Sequence, residues 1–440
     1  MEKEYPKIQR GICAVGLTLL ALLFLFWLGD GNGGSAPEFL CALISLLLFA
    51  ALCLRFVPRW FSLWFGAETP LVKQKGVPLS SIFAIGLSCA AVHIALIWLV
   101  LHYVNRDMTP REFADFWLSA DAYHYLCIAR DWYIPEGNID RVVQLVFLPG
   151  YPIAVRLMQL LTRDYILAGI TVSILSFSGA LCLVYRLVLL DYGEAAALRT
   201  VAVLCMLPGA FFFTAPMSES LFLLLCAACL YSARKERWLL AGLFGALASF
   251  TRSLGLMLFA PLFIDMTADL LHGRRKSWRG LAALALVPLG FAAYCLINYL
   301  VSGDPFRFLY YQRTHWYQEL GLFFNTAAYQ MRYALGAEKD RLMGLWIPNL
   351  AASFAALAIL FAAAKKLRAD YTLWAIAYYA VAIGATWLLS APRYLAALLP
   401  LSLSLALLGE KKALRIAIYT VLAASELYYL TMFALRYGVW

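Results

Sequence analysis

Charge is scarce in this chain. Lys, Arg, Asp and Glu make up 14% of its 440 residues, where a water-soluble globular chain carries about one quarter. So few charges cannot cover a surface that meets water on all sides, which excludes an ordinary soluble domain. Histidine is rarer still, at five, and no His/Cys/Asp group has zinc spacing. No GxxxxGK(S/T) loop and no GxSxG elbow occurs, which argues against an ATP-driven pump and a serine hydrolase. Internal repeats, low-complexity tracts and linkers are missing too, so the chain reads as one domain over 1–440. The ten cysteines lie nearly all in apolar runs, among them Cys13, Cys41, Cys182, Cys205, Cys226 and Cys295. They read as small buried hydrophobes rather than a disulfide framework.

What is present is hydrophobicity. Apolar residues make up 63% of the chain and mean hydropathy is +0.75. Runs of roughly 17–25 apolar residues match the thickness of a hydrocarbon core at 1.5 Å per residue. With no water to satisfy their backbone, such runs must be helices. Thirteen spans are expected, at 11–28, 39–57, 79–101, 165–189, 197–214, 218–233, 238–251, 254–270, 280–300, 344–363, 371–389, 394–408 and 415–434. The fold class is thus an all-α polytopic membrane protein of about 13 transmembrane helices. The first run, behind Lys3, Lys7 and Arg10, resembles a signal sequence. It is long for a cleavable one, and Gly29–Ser35 is a poor cleavage site, so it is expected to stay as the first span.

The net charge of +10 does not point to nucleic acid, because the basic residues sit in short clusters between apolar runs. With the N-terminus cytoplasmic, Arg55/Arg59/Lys73/Lys75, Arg186/Arg199 and Arg234/Lys235/Arg237 all fall on that side. So do Arg274/Arg275/Lys276/Arg279, Lys365/Lys366/Arg368 and Lys411/Lys412/Arg415. Val142–Leu161 tempts a fourteenth span, but Pro149, Gly150 and Pro152 lie at its centre. Counting it would turn most later basic clusters outward, so it is expected to be interfacial or re-entrant. It lies in a first large external loop, Tyr103–Asp164 (residues 103–164), and a second runs from Val301 to Met343 (301–343).

On this topology Asp121, Ser218/Glu219, Arg252, Asp304 and Arg393 gather on the external face. Ionisable groups near lipid cost about 2.5–3.5 kcal/mol at mid-membrane, so five such regions at one face point to a site. Asp121, His124, Tyr125 and Ile128 follow helical spacing and share one face; a solvated interfacial face is the competing reading. Ser218 and Glu219 read equally as a helix cap and a first-turn carboxylate. Arg252 and Arg393 alone are ordinary interfacial anchors, but together they are two forks able to grip a phosphate. Asp115 reads as a loop carboxylate. His93 and His102, with Trp98 and Tyr103, read as ordinary span and aromatic-belt residues.

In order, the chain carries DAYHYLCIA from Asp121, FLPGYP from Phe147, SESLF from Ser218 and TRSLG from Thr251. SGDPFRF follows from Ser302, with Gln312 and Trp316 after it, and then PRY at Pro392. Over roughly residues 105–400 this resembles the PIG-V type mannosyltransferases of the GT-C class, which act in glycosyl-phosphatidylinositol-anchor assembly and use polyprenyl-phosphate sugars. The chain departs from the family pattern at Ala120, where Trp is usual, and at Met217, where Tyr is frequent. The resemblance implies a GT-C fold with external juxtamembrane helices holding the site, and a glycosyltransferase with a mannose donor that inverts the anomeric centre. It casts Asp121 as general base and Arg252 and Arg393 as phosphate partners. His124, Tyr125, Ser218, Glu219, Gln312, Trp316 and Tyr394 would position substrate. The implied partners are membrane lipid, a polyprenyl-phosphate-linked sugar and a glycolipid or glycan acceptor. No cofactor is expected, and with no DxD motif no metal is either. Competing readings are a GT-C transferase with another sugar or acceptor (lipopolysaccharide, glycolipid or protein) and a lipid-linked-sugar flippase. Compact loops and the lack of a retention signal favour a prokaryotic plasma membrane over the endoplasmic reticulum.

Overall fold

The computed structural model describes residues 5–66, 74, 76–104, 108–273 and 280–439. Lys3, Lys73, Lys75 and the cluster Arg274/Arg275/Lys276/Arg279 lie outside the described residues. Among the described residues the chain is helical, and its only β feature is an isolated bridge between Leu320 and Ala385.

Three long apolar helices open the chain: α1 (Tyr5–Gly29), α2 (Ala36–Phe65) and α3 (Leu79–Tyr103). Four short ones follow: α4 (Pro110–Phe116), α5 (Ala122–Asp131), α6 (Ile139–Val142) and α7 (Gly150–Thr162). Next come α8 (Tyr165–Tyr192), α9 (Glu194–Leu204), α10 (Glu219–Arg234), α11 (Trp238–Thr251), α12 (Phe259–Leu271) and α13 (Gly280–Ser302). A second group of short elements holds α14 (Arg307–His315), α15 (Phe323–Leu335) and α16 (Lys339–Arg341). A π-helical turn, Leu342–Trp346, joins α16 to α17 (Ile347–Ala363). The chain closes with α18 (Ala369–Ala382), α19 (Ala391–Ala396), α20 (Leu399–Leu408) and α21 (Lys412–Ala434).

Eight of these helical stretches are long and apolar enough to cross a membrane, or nine if the bent pair around Pro149 is one span. Their outward faces stay apolar: Leu25 is 61% exposed and Phe26 68%. That is the surface of a multi-pass membrane protein, apolar where lipid would lie. The count departs from the thirteen spans expected from hydropathy. The stretch 197–214 leaves its helix after Leu204, turns through Gly209, whose φ of +90° suits glycine, and continues as a 3-10 turn, Ala210–Phe213. α10, α11 and α18 have 16, 14 and 14 residues, about 21–24 Å of helix against a core of about 30 Å. Pro392 and Pro400 divide 394–408 and its approach between α19 and α20. Hydropathy sums composition and does not register these breaks.

The segment expected to be re-entrant is bent by 111° between Ile139–Val146 and Gly150–Thr162. Gly150 permits the bend to pack, since a Cβ there would strike the Thr251 hydroxyl at the end of α11. The second expected loop, 301–343, is only partly a loop. Its α15 inserts beside α1 and α2, where Phe324 packs on Phe24 and Trp27, and Phe323 on Phe49. Its polar residues are matched there: Trp27 donates to Asn325 at 2.8 Å, and Arg332 bridges Glu38 at 2.5 Å.

Basic residues from separate parts of the sequence collect at one pole. Arg55, Arg59, Arg199 and Lys366 donate to the carbonyls of Phe361, Leu367, Ala406 and Leu407, all but Leu367 in the last turn of a helix, where carbonyls favour cations. Arg234 pairs with Asp191, and Arg368 with Asp265 and Asp370. α8 links this pole to the opposite one: Asp191 ends it, while Ser173 donates to the Met217 carbonyl at 3.3 Å. The two levels are about 27 Å apart at 1.5 Å per residue.

Candidate functional site

α5 begins abruptly. Ala120 has φ +51°, a conformation in which a side chain is strained, and Asp121 follows at the N-cap position without making a cap bond. Its carboxylate is therefore free to reach elsewhere, and Oδ2 meets Arg393 Nη2 at 2.7 Å. One turn on, the Tyr125 hydroxyl lies 2.9 Å from Ser218 Oγ. His124 stacks on Phe147, centroids 4.8 Å apart at 18°, with Trp316 at 6.0 Å. The single helix face read from the sequence is thus the face α5 turns towards α10 and Phe147.

α10 starts at Glu219, after the turn around Pro216. Ser218 stands at its N-cap position without a cap bond, so the capping role does not apply. Its hydroxyl instead accepts from Arg252 Nη1 at 2.9 Å. Arg252 leaves α11 with extended backbone, and the same Nη1 donates to Glu219 Oε1 at 2.5 Å. Its guanidinium sits 5.0 Å from the Tyr394 ring centroid, within cation–π range. Arg393, on the proline-started α19, closes the array with Nε 3.3 Å from Glu219 Oε1. Nη1 contacts Met217 Sδ at 3.4 Å, and the Phe212 ring lies 5.6 Å from Cζ. Neither arginine is a snorkelling surface anchor: the side chains of Arg393 and Arg252 are 5% and 10% exposed.

Burial grades the charges. Glu219 is 1% exposed at its side chain and Asp121 27%. Two carboxylates and two guanidiniums alternate as Asp121–Arg393–Glu219–Arg252, with Glu219 as the fixed centre and Asp121 as the exposed end. Buried polar atoms without partners border the row: Ser119 Oγ, His124 Nδ1 and Glu219 Oε2. Leaving such atoms unmade costs about 1–3 kcal/mol each, so they are sites where a polar ligand gains. Burial lowers the His124 pKa, against the opposing charge of Asp121.

Asp121, Tyr125, Ser218, Glu219, Arg252, Arg393 and Tyr394 thus form one contiguous array, which His124 and Trp316 join through ring contacts. Gln312 turns to a different partner: its amide pairs with Gln318, which donates to the Trp387 carbonyl at 2.9 Å. Asp304 accepts from the Phe306 amide at 2.9 Å in its own turn, and Asp115 pairs with Arg111 at 3.2 Å. Both stand apart. Sequence reasoning passed over Glu426, a carboxylate in the apolar run of α21, and took its neighbour His93 for an ordinary span residue. The two lie 3.4 Å apart. Among the described residues no three His, Cys, Asp or Glu side chains converge to hold a metal ion. No protein-family model and no curated protein matches this sequence.

Proposed function

We propose that this protein is a membrane glycosyltransferase, a mannosyltransferase by its motif pattern, with the inverting chemistry and GT-C architecture of that class. It moves a sugar from a polyprenyl-phosphate donor to a hydroxyl acceptor at the external face of a prokaryotic plasma membrane. One observation carries the reading: a part-exposed carboxylate ends a row whose other members are two buried guanidiniums and a buried carboxylate.

The row is neutral. A donor phosphate brings negative charge and competes for guanidinium forks suited to it. Asp121 is the exposed carboxylate, so it yields Arg393 to the phosphate while Glu219 stays between the two arginines. The freed Asp121 carboxylate then accepts the proton of the acceptor hydroxyl. The acceptor oxygen bonds to the anomeric carbon as the bond from that carbon to the phosphate oxygen breaks. The electron pair of that bond leaves with the phosphate, whose charge Arg252 and Arg393 meet. The Trp316 and Phe147 rings offer the sugar an apolar face, and the unpartnered atoms Ser119 Oγ and His124 Nδ1 border it with hydrogen-bonding capacity.

The test supplies membranes with radiolabelled polyprenyl-phosphate mannose and follows label into the lipid or glycan fraction. Wild type transfers label, and Asp121→Asn slows transfer by about 10²–10⁴, the scale of a positioned proton acceptor. Equal rates would remove Asp121 from the base role. Transfer only from another lipid-linked sugar would correct the donor, and none from any would end the reading.

A further inference from the structure

Glu426 sits in the interior of α21, 6% exposed. An ionisable side chain at such depth persists only with partners, and its partners are specific. Oε2 accepts from the backbone amides of Gly209 at 2.6 Å and Ala210 at 3.3 Å, and Oε1 from that of Phe211 at 2.8 Å. Successive amides pointing inward form an anion nest, and Gly209 makes it possible by adopting φ +90°. His93 of α3 places Nε2 3.4 Å from Oε1, and its Nδ1 lies 3.4 Å from Thr214 Oγ1. A neutral imidazole with its proton on Nε2 satisfies both contacts, donating to the carboxylate and accepting from the hydroxyl.

The turn held in this way is the floor beneath Arg393. A Cβ on Gly209 would lie 3.4 Å from the Arg393 backbone nitrogen and from the Pro392 carbonyl carbon. Phe212, inside the turn, supplies the ring 5.6 Å from the guanidinium carbon. Tyr429 and Phe433, one and two turns along α21 from Glu426, pack against Phe211 and Phe212. One face of α21 therefore seats the turn, and the turn seats the arginine.

We infer that Glu426, braced by His93, is a positioning residue: it locks the 209–213 turn through its amides and thereby fixes Arg393 towards Asp121. The assignment concerns the placement of Arg393 whatever reaction the site performs; only the kinetic arm of the test rests on the transferase reading. The full chain in lipid nanodiscs is compared with Glu426→Ala, Glu426→Gln and His93→Asn. Hydrogen exchange at the Gly209 and Phe211 amides is expected to quicken about tenfold or more in Glu426→Ala, because the amides lose their acceptor. Glu426→Gln, which keeps one acceptor oxygen, falls between. Phenylglyoxal modification of Arg393, read by mass spectrometry, rises in the same order. Where transfer is measured, kcat falls by about a hundredfold, the scale of an ångström-sized misplacement, while the acceptor KM changes little. Glu426→Gln and His93→Asn carry the test if Glu426→Ala does not fold. Amides that stay protected in every variant overturn the inference. So does an Arg393 as unreactive as in wild type once those amides have opened. If wild type transfers no sugar, the transferase reading falls, while exchange and modification still decide the role of Glu426.

Discussion

Arg393 bonds Asp121 at 2.7 Å and stands 3.3 Å from Glu219, so one cation serves a part-exposed carboxylate and a fully buried one. The two partners are not equivalent. Removing the arginine strands Glu219 with Arg252 alone, whereas removing Asp121 leaves the buried pair intact. Arg393→Ala is expected to destabilise by about 3 kcal/mol, as breaking a buried pair does. Asp121→Ala should cost about 1 kcal/mol or less, in line with partly solvated pairs. Denaturant unfolding in micelles, closed as a double-mutant cycle, measures both. Equal losses would contradict the dominance of Glu219.

Arg252 and Asp121 should separate kinetically. Arg252→Lys keeps the charge but loses the planar fork, whose Nη1 serves Ser218 and Glu219 and whose geometry suits a phosphate. Donor KM is expected to rise by about tenfold with a smaller fall in kcat, one bidentate contact being worth little more than that factor. Asp121→Asn acts on kcat. Initial rates against donor concentration distinguish the two patterns.

His124 makes stability depend on pH. Burial holds its native pKa below the ordinary value of about 6.5, despite the opposing charge of Asp121. The unfolded chain therefore binds the proton first as pH falls. Stability is undiminished above about pH 6.5, declines as pH drops towards the lowered native value, and levels off below it. His124→Phe keeps a ring against Phe147 and should flatten that decline. Melting temperatures across the range, compared with wild type, give the result.

Orientation is open to labelling. Tyr317, 73% exposed, belongs to the segment expected outside, and exposed Lys412 to a basic cluster expected inside. A membrane-impermeant thiol reagent on intact cells should label Tyr317→Cys and spare Lys412→Cys until the membrane is opened. The reverse pattern would invert the proposed topology.

The packing of α11 on α13 depends on small residues, as helix contacts in lipid commonly do. A Cβ at Gly290 would land on the Ala246 carbonyl, so the helices must part to admit it. Gly290→Ala is expected to cost about 1–3 kcal/mol. Gly11→Ala, with nothing within 4 Å, serves as the neutral control within about 0.5 kcal/mol.

Much of the site's local chemistry could be read from spacing, because Asp121, His124 and Tyr125 recur at helical intervals and their shared face holds in the fold. The failures have particular causes. Ser218 looked like a cap because capping is a local signal, yet its hydroxyl is recruited by Tyr125 and Arg252 from distant segments. α15 looked like loop because Asn325, Gln330 and Arg332 interrupt its apolar residues; Trp27 meets Asn325, the Leu388 carbonyl accepts from the Gln330 amide nitrogen, and Glu38 pairs with Arg332. Glu426 was a signal passed over, since a carboxylate in an apolar run implies partners, but those partners are main-chain amides some 200 residues earlier, and amides carry no sequence signature.

Because the charged row draws its last cation from α19, it is completed late in synthesis. Asp121, Glu219 and Arg252 are made first, leaving two anions facing one cation until residue 393 has been added. Glu426, which holds the turn beneath that arginine, arrives later still. A polypeptide stalled before α19 would already contain most of its bundle yet leave Asp121 without the cation that pairs with it. The row is thus neutral only in a chain extended past residue 393, so its charge balance marks how far synthesis has gone.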